Sequence, residues 1–144
     1  MRLSDVADNP MGERAHVRAA RIVRGQLTLL GVDQDGEIYQ EVTRDPAGNS
    51  TDFRLGCAID RGLLLVKGSL NELDSDLFDA RATLVLWSSI TDYQLEVIAK
   101  DGGRQTATVT IAGATFDGSG WGRTESLLAF ANACEVQLKQ DHSK

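Results

Sequence analysis

Two cysteines, two prolines and two histidines are all that 144 residues supply of the types that most often brace, break or catalyse, and each scarcity removes a class of explanation. Cys57 and Cys134 form no CxxC pattern, so two free, buried thiols are expected rather than a bridge or a zinc knuckle. With only His16 and His142 to serve as base, a Ser-His-Asp or Cys-His constellation has little to draw on. Apolar runs are short, and none approaches the roughly 20 residues a membrane helix needs. The opening residues lack a compact apolar segment behind a basic start, and the closing KQDHSK carries no address, which points to a cytoplasmic protein. Lys and Arg number 15 against 21 Asp and Glu, a net charge of −6. That balance argues against general nucleic-acid binding, which relies on cations neutralising phosphates.

What is present is ordinary for one soluble domain: 42% hydrophobic and 25% charged residues, in a chain long enough to bury a core without metal or disulfide. The organisation expected is a loose polar tail over 1–9, a single α+β domain over 10–140 and a short tail over 141–144. Asn9-Pro10 offers an N-cap with proline at the first helical position, and Gly25 a stop, so a helix is expected from about 10 to 24. On it Arg14, Arg18, Arg21 and Arg24 recur at spacings of four, three and three, a basic stripe, with Ala15, Ala19 and Ile22 on another face. The rival reading of 16–32 is a strand, because Gly12, Val17, Ile22 and Val23 weaken the helix.

From Gln26 the pattern shifts to short apolar stretches separated by turns: QLTLLGV, EIYQEVTR, DFRLGCAI, LLLVKGSL, ARATLVLW, YQLEVIAK and RQTATVTIA. Phe53, Leu55, Cys57 and Ile59 alternate with smaller or polar residues, as do Ala107, Val109 and Ile111 with threonines, the period of a half-buried sheet. DQDG, DPAGNS, DRG and KDGG between them have hairpin-turn chemistry, favouring antiparallel pairing. The acidic NELDSDLFD, 71–79, is long enough to hold a helical turn. The last helix, Thr124 to about Lys139, gathers Leu127, Phe130, Ala131, Cys134 and Leu138 on one side. An antiparallel sheet or partly closed barrel of about seven strands, with this helix packed on it and an N-terminal helix in front, is the expected fold.

Several constellations bear on chemistry. Gly118, Gly120 and Gly122 give GxGxG before the last helix, but a dinucleotide fingerprint needs GxGxxG in a βαβ unit, and a Walker loop is absent. The favoured reading is a turn with Thr124 or Ser126 capping the helix; the competing one is an anion site made by Gly120, Gly122, Arg123 and Thr124 at the helix start. GVDQDGEIYQEV resembles the middle of an EF-hand loop, yet Gly31 and Val42 fall where its first and last ligands belong, so a hairpin turn is expected. Glu72, Asp74, Asp76 and Asp79 cluster without Gly or His and are expected as a solvated loop, with no metal and no cofactor. Tyr39, Asp92, Tyr93 and Glu96 are available as acid or base groups, but their spacing selects no reaction.

The run RAHVRAARIVRGQ, carried by Arg14, Ala15, Arg18, Arg21, Arg24 and Gln26 and followed by LTLLGV, resembles the helix-to-strand entry of actinobacterial SecB-like chaperones over about a tenth of the chain. The resemblance implies an acidic tetramer that holds unfolded chains on apolar grooves of an antiparallel sheet. The family's Pro-Tyr-x-Arg-Glu element is missing, and 100–122 is strand-like where the family is already helical. The last third is also similar to the regulatory domain of isopropylmalate synthase, where a DG hairpin precedes GxG and a helix, with about fourteen further residues intervening here.

The function expected is a non-enzymatic, chaperone-like or interaction module that engages a protein or peptide through a sheet face or edge, with Arg14, Arg18, Arg21 and Arg24 as its rim and self-association as an option. The alternative is a small-molecule barrel, an enzyme among the options, with an apolar metabolite in a cavity lined by Phe53, Trp87 and Tyr93.

Overall fold

The computed structural model describes residues 1–10, 14–32, 35–74, 76–119 and 122–143. The fold is α+β, with seven antiparallel strands, a C-terminal helix packed on them and a helical segment in front. The strands divide between two sheets. β1 (Glu37–Arg44), β2 (Ser50–Ala58), β3 (Gly62–Asn71) and β4 (Phe78–Leu86) form a four-stranded meander. β5 (Gln94–Lys100), β6 (Arg104–Ile111) and β7 (Ala114–Asp117) form a three-stranded one. All neighbours are antiparallel and consecutive, as short turns dictate.

The four-stranded sheet separates two apolar cores. One side presents Ile38, Phe53, Leu55, Cys57, Leu64 and Val66 to α1 (Leu3–Ala7) and α2 (Ala15–Leu29). The other presents Tyr39, Ala58 and Leu63 to β6, β7 and α3 (Arg123–His142), where Val109, Ile111, Phe116, Leu127, Phe130 and Cys134 are buried. The α3 face is the one its 3.6-residue period predicts. Its seating depends on Gly56. A Cβ there would lie 2.7 Å from Phe130 Cζ, so the missing side chain is the socket for that ring. Phe130 meets Phe116 edge-on at 5.8 Å, and Phe116 meets Tyr39 likewise at 6.0 Å.

Several expectations require correction. Residues 1–9 are not a loose tail: Leu3, Val6 and Ala7 are buried in the first core as α1. Asp35, expected in a hairpin turn, caps α1 from outside, accepting from the Ser4 N–H at 2.9 Å and the Ser4 hydroxyl at 2.5 Å. Since a helix precedes it, the segment joins α2 to β1; Asp33 lies outside the described residues. The helix expected over 10–24 spans Ala15–Leu29, and QLTLLGV is its end, not a strand. Gly25 is helical, while Gly31, at φ +74°, is the stop. Gly31 N–H bonds Thr28 O at 3.0 Å and Val32 N–H bonds Leu27 O at 2.9 Å, a Schellman closure with Val32 packed on the first core. The seventh strand is instead β7. It is reached through a two-residue turn, Ala112 and Gly113, at φ +52° and +79°. The described residues of the acidic connection form bends and turns, with Asn71 Oδ1 accepting from the N–H groups of Leu73 and Asp74. At the other end α3 runs to His142, into the stretch expected as a tail.

Candidate functional site

Three arginines of the stripe, Arg18, Arg21 and Arg24, lie on α2 and bond the chain itself. Arg21 donates to Ala7 O at 2.9 Å and Asn9 O at 3.0 Å, Arg24 pairs with Asp8 at 2.5 Å, and Arg18 donates to Asn71 O at 3.1 Å. Two guanidiniums thus serve the carbonyls and carboxylate at the end of α1, where cations complement a helix terminus. Arg14 is the exposed N-cap of α2. The whole Arg14–Gln26 run is therefore helix and its N-cap, and the strand of a helix-to-strand entry does not follow it.

The residues proposed to line one cavity are kept apart. Phe53 is buried toward α2, whereas Trp87 and Tyr93 belong to the other side of the sheet. Trp87 donates its indole N–H to Ile59 O at 2.8 Å, and the Tyr93 hydroxyl donates to Glu135 at 2.7 Å. Burial, then the Glu135 carboxylate, pushes the Tyr93 phenol up. Tyr39 donates to Asp117 O at 2.6 Å. Asp92 accepts from the Ala112 and Gly113 N–H groups at 2.7 Å each, clamping the β6–β7 turn. The Gly113 bond holds its carboxyl below the usual value. Burial raises both thiols, Cys57 and Cys134, to about 12, as inert core residues require.

At the start of α3, Gly122 takes φ +73° as N-cap, and Arg123 is exposed. Gly120 lies outside the described residues. Neither hydroxyl expected to cap the helix does so: Thr124 donates to Gly118 O at 2.5 Å and Ser126 to Gly122 O at 3.0 Å. Arg123 and Ser126 line a cleft of about 280 Å³ with His16 and Gln40. In the acidic loop, Glu72 accepts from Thr51 and lies 3.8 Å from Arg44. Among the described residues, no group of three or more His, Cys, Asp or Glu is placed to hold a metal ion.

Two surfaces stand out that residue spacing did not single out. The first is the part of the four-stranded sheet that α3 and the second sheet leave open. Register places Glu41, Arg54, Lys67 and Arg81 in one row across β1, β2, β3 and β4. Arg54 pairs with Glu41 at 2.6 Å, also donates to Thr115 O at 2.6 Å, and lies 5.2 Å over the Phe116 ring. Lys67 and Arg81 are exposed neighbours. Beside them a cleft of about 370 Å³ runs over Leu65, Val85 and Phe116 to the Ala112–Gly113 turn. The second surface is β5, the outer strand of its sheet. Val97 is 51% and Ile98 38% exposed. Adjacent strand residues point to opposite faces, so here β5 is covered on neither.

No family model, curated protein or solved structure matches the chain. Among the described residues, no helix is long and apolar enough to cross a membrane.

Proposed function

We propose that the protein is a non-enzymatic binding module that takes up an extended peptide as an added strand along β5. The carrying observation is the exposure of Val97 and Ile98 on opposite faces of an outer strand. The main chain on the outer side of such a strand has no neighbouring strand, and proteins ordinarily blunt such an edge with charge, proline or a cover. Glu96 and Lys100 flank the apolar pair without replacing it. An incoming strand would gain ladder hydrogen bonds from the edge and side-chain contacts on both faces, the combination that makes strand addition tolerant of sequence. Holding extended segments in this way is a chaperone-like use of the sheet edge, and it draws on no arginine of α2.

The test is a selection of displayed peptides on the intact protein, followed by titration of the enriched peptides against V97K/I98K. Both side chains are exposed, so the variant keeps its melting temperature. Enrichment of β-branched, extended sequences whose binding falls at least tenfold in the variant supports the proposal. Failure to enrich, or equal binding by the variant, overturns it. Sedimentation of both proteins reports whether a second copy is the strand that adds.

A further inference from the structure

We infer that the open face of the four-stranded sheet is a binding site for a small amphipathic carboxylate, its head held by Lys67 and Arg81 and its apolar body laid along Leu65, Val85 and Phe116. No residue of β5 takes part, so the site stands or falls separately from strand addition.

The first ground is an electrostatic arrangement that folding alone disfavours. Arg54 opposes Lys67, and Lys67 opposes Arg81. Directly opposed residues have Cβ atoms about 4.5–5.5 Å apart, and like charges so placed destabilise a sheet. Glu41 relieves Arg54 alone. Among the described residues, neither Lys67 nor Arg81 has an ion pair or side-chain hydrogen bond. Asp52 and Asp79 belong to the next row on the same face, each opposite Ser69, and they line a neighbouring cleft with Lys67 and Arg81, within reach of long side chains but in no ion pair with them. On this face Glu41, Asp52 and Asp79 equal Arg54, Lys67 and Arg81 in number, but among the described residues no carboxylate forms an ion pair with Lys67 or Arg81, so both can turn to an incoming anion.

The second ground is the floor beside the cations. The cleft of about 370 Å³ has Lys67 and Arg81 together with Leu65, Val85 and Phe116 in its lining. That volume falls in the range of small-molecule sites, roughly 300–1,000 Å³, which are mostly apolar with a few polar groups that orient the ligand. Inorganic phosphate would satisfy the cations and leave the floor bare; a neutral apolar molecule would do the reverse. A carboxylate carrying a short hydrocarbon body uses both, with lysine as a point charge and arginine as a two-pronged donor.

The third ground is that the walls are fixed before any ligand arrives. Leu65 and Val85 belong to a meander paired in continuous register, and Phe116 to β7, paired with β6. The opposite wall is the Ala112–Gly113 turn, held by both oxygens of Asp92 at 2.7 Å. On strands and a clamped turn the backbone of the site needs no ordering, and only the Lys67 and Arg81 side chains are immobilised on binding.

The experiment titrates octanoate into the intact protein while amide shifts are followed by NMR, with octanol and inorganic phosphate as parallel arms. Saturable shifts confined to the neighbourhood of Leu65, Lys67, Arg81, Thr83 and Gly113 are expected, with octanol and phosphate each about tenfold weaker or more, the usual scale for losing one charged contact or a small apolar body. K67Q/R81Q should weaken octanoate at least tenfold. Because it removes repulsion, its melting temperature should equal or exceed that of the native protein; if the double variant does not fold, K67Q alone carries the same comparison. Scattered or unsaturable shifts, octanol or phosphate matching octanoate, or a folded variant that binds as well as the native protein would each overturn the assignment.

Discussion

Adding one methyl group at Gly56 should loosen the whole contact between α3 and the sheet. The Cβ of Gly56→Ala would stand 2.7 Å from Phe130 Cζ and 3.3 Å from Phe116 Cζ, with Phe130 fully buried. Overpacking a filled core costs about 1–3 kcal/mol, and a contact this short against a fully buried ring belongs in the upper part of that range, about 2–3 kcal/mol. Alanine is better than glycine in a strand by roughly 0.5–1 kcal/mol, so the net loss should be about 1–2 kcal/mol. With an unfolding entropy near 2.1 cal/mol/K per residue over 144 residues, each kcal/mol moves Tm by about 3 °C, and the variant should melt about 3–7 °C lower. Phe130→Leu alone should also destabilise, by about 1–2 kcal/mol, through the contacts it loses. Combined, the shorter side chain makes room for the methyl. G56A/F130L should therefore cost about 1 kcal/mol less than the two single losses together, a coupling expected of residues in contact. Urea denaturation of the four proteins closes the cycle. Additivity within about 0.5 kcal/mol, or no loss from G56A alone, would refute the idea that the glycine exists to seat the ring.

Three further outcomes can be checked. Gly25→Ala should stabilise by about 0.5–1 kcal/mol, since Gly25 is helical with open space at its Cβ, while Gly31→Ala should destabilise by about 1–2 kcal/mol at φ +74°; equal Tm shifts in a thermal melt would contradict the assignment of the helix end. Arg21→Ala should cost about 1–2 kcal/mol and expose the amides of α1 to hydrogen exchange, whereas Arg24→Ala, an exposed pair, should cost under about 1 kcal/mol. The Asp92 carboxyl is held below its ordinary value by the Gly113 and Ala112 amides, so its contribution is present above the unfolded-state value of about 3.9 and is lost as pH falls through the folded value. The stability gap between the native protein and D92N, followed by urea titration, should be full at pH 6 and shrink below pH 4; a gap unchanged across that range would rule out the carboxylate clamp.

How legible these features were depended on how local their causes are. β1 spans the same residues as the stretch EIYQEVTR, because alternation and flanking turns are local properties. The buried face of α3 was equally plain. The first helix was misplaced because Gly25 looks like a stop, yet burial of Val17, Val23 and Leu27 and the closure at Gly31 outweigh one glycine and several β-branched residues. α1 is only five residues long, too short to show a period, and both the burial of Leu3, Val6 and Ala7 and the bonds from Asp35 and Arg21 rest on partners distant in sequence. The basic row was hidden for a related reason. Arg54, Lys67 and Arg81 become neighbours only once the register of three strands is set, whereas Arg18, Arg21 and Arg24, conspicuous at helical spacing, are engaged by the chain's own carbonyls and the Asp8 carboxylate.

The sheet between two cores also acts as a proofreading device for its own alignment. Along β2, Phe53, Leu55 and Cys57 serve one core, while Gly56 and Ala58 face the other. Sliding β2 by one residue would carry bulky side chains into the socket reserved for Phe130 and turn the vacancy of Gly56 toward α2. Around Gly56 both faces are packed, so both reject the slip. The Asp45–Asn49 connection between β1 and β2 is thereby relieved of setting the alignment, and residues inserted there should lengthen the loop and leave every strand in place.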